Sequence, residues 1–219
     1  MARLVIFGAG DIARLAHFYF RTDSPHEVVA FAVDAAYRTA DTFDGLPLCD
    51  AESLAGRYPP DTHEAFVALS YAKMNRVREQ KCDALQARGY RLASYVSSRC
   101  TYLAPEPPGE NAFILEDNTI QPFVTIGRNV TLWSGNHIGH DSTIGDHCFI
   151  ASHVVVSGHV HVGPGCFIGV NATLRNGITI GERSLLAAGA LVMKDTAPGS
   201  VHLAARGAVS PLTSDEVQL

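Results

Sequence analysis

Six histidines crowd into residues 137 to 161: His137, His140, His147, His153, His159 and His161. Imidazole has an ordinary pKa of about 6.5 and suits proton transfer near neutral pH, and solvated turns alone do not call for so many. One of the six, His140, is followed directly by Asp141. A second chemical signal stands near the start of the chain. Gly8-Ala9-Gly10-Asp11-Ile12-Ala13 follows an apolar run and fits a G-x-G-x-x-G/A turn, and Asp34 closes the next apolar run. Such a turn aims the amides of a helix N-terminus at a diphosphate, while the acidic residue bonds a ribose hydroxyl. The plainer reading is that the glycines only permit a tight strand-to-helix turn.

The elements that carry the histidines follow from a period of six. Ile114, Ile120, Ile126, Leu132, Ile138, Ile144, Ile150, Val156, Val162, Ile168, Leu174, Ile180, Leu186 and Val192 recur without a slip, and the residue four after each is usually small or β-branched. Neither a 3.6-residue helix nor an open sheet demands that spacing. A prism with short parallel strands on flat sides does.

Residues before the prism alternate differently. A strand over 3 to 8, a helix through about Arg21 and a strand from Val28 to Val33 are followed by a short helix at AESLAGRY and a strand over 65 to 70. KMNRVREQKCDALQARG then reads as a helix and YRLASYV as a strand, so a small parallel sheet with helices on its faces is expected. PEPPGEN at 105 to 111 marks the boundary, giving a nucleotide-sugar-binding α/β domain over 1–104 and a prism with a C-terminal tail over 105–219. Half of a dinucleotide fold has no room for a second mononucleotide, which favours a single nucleotide diphosphate attached to a sugar over NAD.

The formal net charge is −5 with no basic run, so neither nucleic acid nor an anionic membrane is an expected partner. Five cysteines without a CxxC spacing argue against a disulfide framework or a thiolate zinc site, and no metal is expected. With no apolar run near the ~18 residues that span a bilayer, the expected compartment is cytoplasmic.

The strict hexapeptides resemble those of the left-handed β-helix acyltransferases. Together with the Gly-rich first turn and His140-Asp141-Ser142-Thr143-Ile144-Gly145-Asp146, the chain is similar to sugar acetyltransferases of the NeuD/PglD type. That resemblance implies an α/β N-terminal domain with a small Rossmann-like parallel sheet, followed by a left-handed parallel β-helix of eighteen residues per coil. It implies transfer of an acetyl group from acetyl-CoA to the amino group of a nucleotide-linked amino sugar, in a homotrimer. His140 takes the family's general-base position and Asp141 that of its partner. Gly158, Val170 and Ala188 match positions that line the coenzyme groove, and Gly8, Gly10, Asp11 and Asp34 those around the sugar nucleotide.

Stacking at eighteen residues sharpens these assignments. Gly158 follows His140 by eighteen and should leave a gap for substrate, while His159 follows Asp141 by eighteen and could pair with it. His147, His153 and His159 fall on three different sides and cannot meet at one ion, and His137 is expected at a repeat corner beside Asn136 as a possible substrate contact. Cys148 and Cys166 should stack as buried thiols, poor nucleophiles. Trp133, Phe149 and Phe167 are expected as exposed apolar residues needing cover by another subunit. Three departures from the relatives concern the acceptor and the coenzyme: GAGDIAR in the first turn, SYAKMNRVREQK before the last α/β helix, and the tail SVHLAARGAVS. A sugar O-acetyltransferase uses the same base. A zinc hydratase on a related prism and a non-catalytic nucleotide-sugar-binding trimer are the remaining alternatives.

Overall fold

A computed structural model describes residues 2–205 together with Gly207, Pro211 and Asp215, so the distal tail lies largely outside the described residues. The N-terminal part comprises β1 (Arg3–Phe7), α1 (Asp11–Asp23), β2 (Glu27–Val33), β3 (Thr42–Phe43), β4 (Leu46–Asp50), α2 (Leu54–Arg57), β5 (His63–Val67) and α3 (Arg76–Ala87). The sheet order is β3-β4-β2-β1-β5, parallel except for β3 against β4. β1 and β5 are buried almost throughout, as strands covered on both faces must be. α1 buries Ala13, Ala16, His17 and Phe20 on one side. The β3–β4 hairpin was not expected, although Asp44-Gly45 announces it: both residues have positive φ (46° and 80°), as a tight two-residue hairpin turn requires.

Two expected elements differ. α3 begins at Arg76 rather than at Lys73, because Lys73, Met74 and Asn75 all adopt left-handed φ (52°, 54° and 64°). Asn75 is thereby buried, donating from its amide to Gly165 O (3.3 Å) and Cys166 O (3.2 Å) of the prism. The segment YRLASYV pairs with β5 only through a bridge from Ala65 to Leu92. Its end, Tyr95–Val96, pairs instead with Phe113–Ile114, and Thr101–Tyr102 pairs with Thr119–Ile120. The division expected at 104/105 therefore falls inside the first prism coil. Tyr95 is held there by a hydrogen bond from its hydroxyl to Asp23 (2.7 Å) and by ring contacts with Phe20 and Phe113.

The prism is a left-handed parallel β-helix. Among the described residues its first face stacks seven two-residue strands from Tyr95–Val96 to Val201–His202, its second face six and its third face four. Registers advance by eighteen residues, as Thr131↔Phe149↔Phe167 shows. All fourteen periodic aliphatics are buried, and Val124, Val130, Ser142, Val154, Val160, Ala172, Ser184 and Ala190 fill the space between them. Removing each large aliphatic from water stabilises the column by roughly 1.5–3 kcal/mol.

Each corner turns through one residue of positive φ, every sixth position from Asn111 to Gly189. Asn, Asp, His and Gly supply most of these, the residue types that tolerate the left-handed region. His147, His153 and His159 belong to this set. Half of the histidine cluster is thus accounted for by turn geometry, contrary to the inference that turns do not call for it. His137 lies in a strand of the second face, His137–Ile138, and not at a corner.

The aromatic trio is also placed differently. Phe149 is buried and Trp133 and Phe167 half-buried, covered by the chain's own α/β domain. The Tyr71 ring sits 5.0 Å from Phe149 and 4.6 Å from Phe167, and the Arg78 guanidinium lies 5.6 Å from the Phe149 centroid. Arg78, itself buried, donates to the carbonyls of Asn129, His147 and Cys148 at 3.1–3.3 Å. These residues dock the two halves of one chain to each other.

Candidate functional site

His140 and Asp141 occupy the corner between the second and third faces. The left-handed φ of Asp141 (57°) turns its carboxylate back onto the neighbouring ring, and Oδ2 lies 2.8 Å from His140 Nδ1. One coil earlier, Gln121 Oε1 accepts the His140 backbone N–H (2.9 Å) and fixes the main chain beneath the ring. With Nδ1 engaged by a carboxylate, the neutral ring carries its proton there and Nε2 is left as the acceptor. Half of the His140 side chain is exposed, so a ligand can reach it. The expected gap at Gly158 is used by the imidazole itself: a Cβ built on Gly158 would stand 2.7 Å from His140 Nε2 and 2.9 Å from Cε1. His159 does reach Asp141, with Nε2 4.0 Å from Oδ2, and its ring stands edge-on to His140 at 4.9 Å between centroids. His147 is not part of this group. It is buried against Asn129 Nδ2 (2.9 Å), and burial pushes its pKa down against the pull of Glu79 at 3.8 Å.

A second candidate region lies in the α/β domain. Phe7, Gly8, Ala9, Val33, Asp34, Tyr37, Leu69, Val77 and Lys81 line a cleft of about 320 Å³. Gly8 is required there twice over: its φ is +133°, and a Cβ would meet Ala68 O at 2.6 Å. Of the four residues expected around the nucleotide, Gly8 and Asp34 share this cleft. Gly10 caps α1 without lining it, and Asp11 points to solvent against Arg14 (3.3 Å). Lys81 and Tyr37 were missed. Lys81 Nζ bonds Asp34 Oδ1 at 2.6 Å and sits 5.4 Å from the Phe7 centroid, which gives the cleft a cation suited to a diphosphate. Its position four after Val77, on one helical face, was the available signal. Tyr37 is largely exposed at the rim, where an aromatic plane can stack on a base.

Val170 and Ala188 line a third cleft of about 340 Å³ with Tyr71, Trp133, Phe149 and Phe167. They stack at the corner between the first and second faces, whereas Gly158 stacks with His140 at the next corner. The three residues expected to line one coenzyme groove are therefore divided within a single chain. Cys148 and Cys166 are buried in the core as expected, and burial raises the Cys148 thiol well above its ordinary range, which removes it as a nucleophile.

The α/β domain contacts the first face and its two flanking corners, through Tyr71 to Phe167, Arg78 to His147 O, Arg183 to Glu79 and Tyr19 to Glu116. His140 stands at the corner opposite that face. Within one chain, the α/β cleft and the histidine lie on opposite sides of the prism.

Residues 125–158 and 159–194 match the family described as bacterial transferase hexapeptide (six repeats). The matched residues form the central coils of the prism. The acyl-[acyl-carrier-protein]–UDP-N-acetylglucosamine O-acyltransferase of Pseudomonas aeruginosa is 34% identical over 71 residues, 32% of this chain, which thus spans about a quarter (28%) of that protein's length. Solved structures match the fold over nearly the whole chain. PerB from Caulobacter crescentus, determined with CoA and GDP-perosamine, superposes with a TM-score of 0.81 at 22% identity, covering 93% of this chain and 94% of that one. The acetyltransferase domain of PglB from Neisseria gonorrhoeae gives 0.79 at 20% identity over 93% and 97%. WeeI from Acinetobacter baumannii gives 0.76 at 21% identity over 90% and 94%. The likeness to sugar acetyltransferases read from the sequence is borne out in the fold. No helix among the described residues is long and apolar enough to cross a membrane.

Proposed function

We propose that this chain is an acyltransferase that moves the acetyl group of acetyl-CoA to the amino group of a nucleotide-linked amino sugar, in the cytoplasm, in the course of surface polysaccharide or glycan synthesis. The observation that carries the reading is the His140–Asp141 pair: a 2.8 Å contact at Nδ1, in a side chain that is half exposed, leaves Nε2 as the nitrogen free to accept a proton. His140 takes that proton from the attacking amine as it adds to the thioester carbonyl, and Asp141 stabilises the imidazolium. The N–H of Gly158, beside the ring, is the candidate donor to the developing oxyanion. Expulsion of the CoA thiolate completes a direct transfer with no acyl-enzyme.

The nucleotide sugar is assigned to the Gly8–Asp34 cleft, with Lys81 facing its diphosphate. Because that cleft and His140 lie on opposite sides of the prism, an acceptor held in one chain reaches the base of another copy. This geometry supports a homotrimer whose acetyl-transfer sites, with Val170 and Ala188 of one copy facing Gly158 of the next, lie between subunits. His137, two residues upstream of Gly139 on the second face, is assigned to the acceptor side. PerB, whose fold this chain shares, was determined with GDP-perosamine, a nucleotide-linked sugar, which favours nitrogen as the nucleophile. The O-acyltransferases among the curated relatives keep a hydroxyl acceptor as the second reading.

The test is release of CoA thiol from acetyl-CoA with UDP-, dTDP- and GDP-linked 4-amino sugars, their hydroxyl counterparts and free sialic acid. Turnover with one amino sugar that falls by ~10² to ~10⁴ in His140→Ala is expected. Full activity of that variant would remove His140 from the mechanism, and turnover with hydroxyl acceptors alone would select the second reading.

A further inference from the structure

The regularly spaced histidines sit on separate corners, yet one pair does meet. His140 and His159 are nineteen residues apart, and one coil rise plus one step brings them to the same corner on either side of Asp141. One ring nitrogen of His140, a carboxylate oxygen of Asp141 and one ring nitrogen of His159 lie within 4.8 Å of one another. The two distances to the carboxylate oxygen are 2.8 Å and 4.0 Å. Ligand atoms ~2.0–2.1 Å from a tetrahedral zinc ion are separated by roughly 3.3 Å, which falls between these values. Rotations of side chains that are 50%, 43% and 58% exposed would close the set. Two imidazole nitrogens and one carboxylate oxygen, with a fourth position open to water, form a donor set that zinc prefers.

We propose that His140, Asp141 and His159 form a zinc-binding site in which the ion acts as an inhibitor of the transferase and not as its resident cofactor. Zinc at His140 Nδ1 displaces the hydrogen bond to Asp141 and moves the ring's one proton to Nε2, the atom that must accept a proton from the nucleophile. The binding half of the proposal stands on the geometry alone. The inhibition half rests on His140 being the general base.

Calorimetric titration of the full, tag-free chain with zinc chloride, paired with the visible spectrum on adding cobalt(II), tests binding independently of turnover. His159→Asn is the diagnostic variant, since Asn keeps the left-handed corner and removes the imidazole. The parent is expected to bind one zinc per chain and to develop tetrahedral cobalt bands. The variant should bind more weakly by over ~10- to 100-fold, the loss that altering even an outer-shell partner produces. Inhibition of thiol release, measured for each protein against its own metal-free rate, should shift by the same factor and reverse on chelation. Equal zinc affinity in parent and variant would overturn the site. A shift in affinity with no shift in inhibition would overturn the inhibitory role. A parent that transfers no acetyl group would overturn the functional reading and the inhibitory role together, while calorimetry still decides the site.

Discussion

Gly158→Ala isolates the working position of the proposed base. A Cβ at residue 158 would lie 2.7 Å from His140 Nε2, about 0.7 Å short of an ordinary 3.4 Å contact. The prism backbone around Gly158 is held by the coil ladders, including His159 N–H to His140 O (2.9 Å), so the exposed ring moves and the backbone does not. A displacement of that size stretches or rotates the 2.8 Å Nδ1–Asp141 contact toward the limit of a hydrogen bond. Misplacing a reacting group by about 1 Å costs on the order of 10² in rate. Gly158 does not have positive φ, and the replacement retains the backbone N–H, so folding stability should change by no more than about 1 kcal/mol. The assay is initial-rate thiol release with the amino-sugar acceptor, alongside urea unfolding. kcat should fall by ~10², and the loss should vanish in a His140→Ala background, where no ring remains to displace. An unaltered kcat, or a loss that persists without His140, would refute the placement of the ring over Gly158 during turnover.

Phe123 is 68% exposed and holds φ at 66°, a conformation that costs an L-residue roughly 1–2 kcal/mol and that Asn accepts more readily, so Phe123→Asn should raise the urea-derived stability by about 1 kcal/mol. Arg78→Met removes the donor shared by the carbonyls of Asn129, His147 and Cys148 in the buried interface, and should lower unfolding free energy by about 3 kcal/mol in the same measurement. Burial lowers the folded pKa of His147, so on acidification the unfolded chain takes up this proton first; stability is lost as pH falls through ~6.5 until the folded group titrates. His147→Asn keeps the left-handed corner, and its melting temperature should therefore decline less between pH 7.5 and 5.5 than that of the parent.

The sequence by itself determined the prism, its core and the His140–Asp141 pair. A period of six has one economical solution, because each aliphatic must face inward and meet its counterpart one coil away; Ile114 through Val192 are buried as that logic requires. His140 and Asp141 are chain neighbours, so their contact needed only a local turn. The Gly8 turn and Asp34 were legible because a strand-to-helix turn and a strand end are local features as well. The tertiary structure decided what depends on which surfaces meet. Three successive left-handed residues deliver Asn75 to the prism carbonyls, and Arg78 follows; no local propensity announces this, since the conformation is stabilised only by its docking partners. The same docking covers Phe149, which periodicity marked as outward without saying what lay outside. Tyr95 pairs its backbone with Phe113 of the prism while its hydroxyl and ring stay on α1, at Asp23, Tyr19 and Phe20, so its place was set by the seam between the two halves. Lys81 became the partner of Asp34 only when α3 packed on the sheet, against β5 and over Phe7. Spacing along the chain fixes which residues stack, whereas the docking of the α/β domain on one face fixes what lies opposite. That choice, made by long-range packing, sets the Gly8–Asp34 cleft and His140 on opposite sides of the prism.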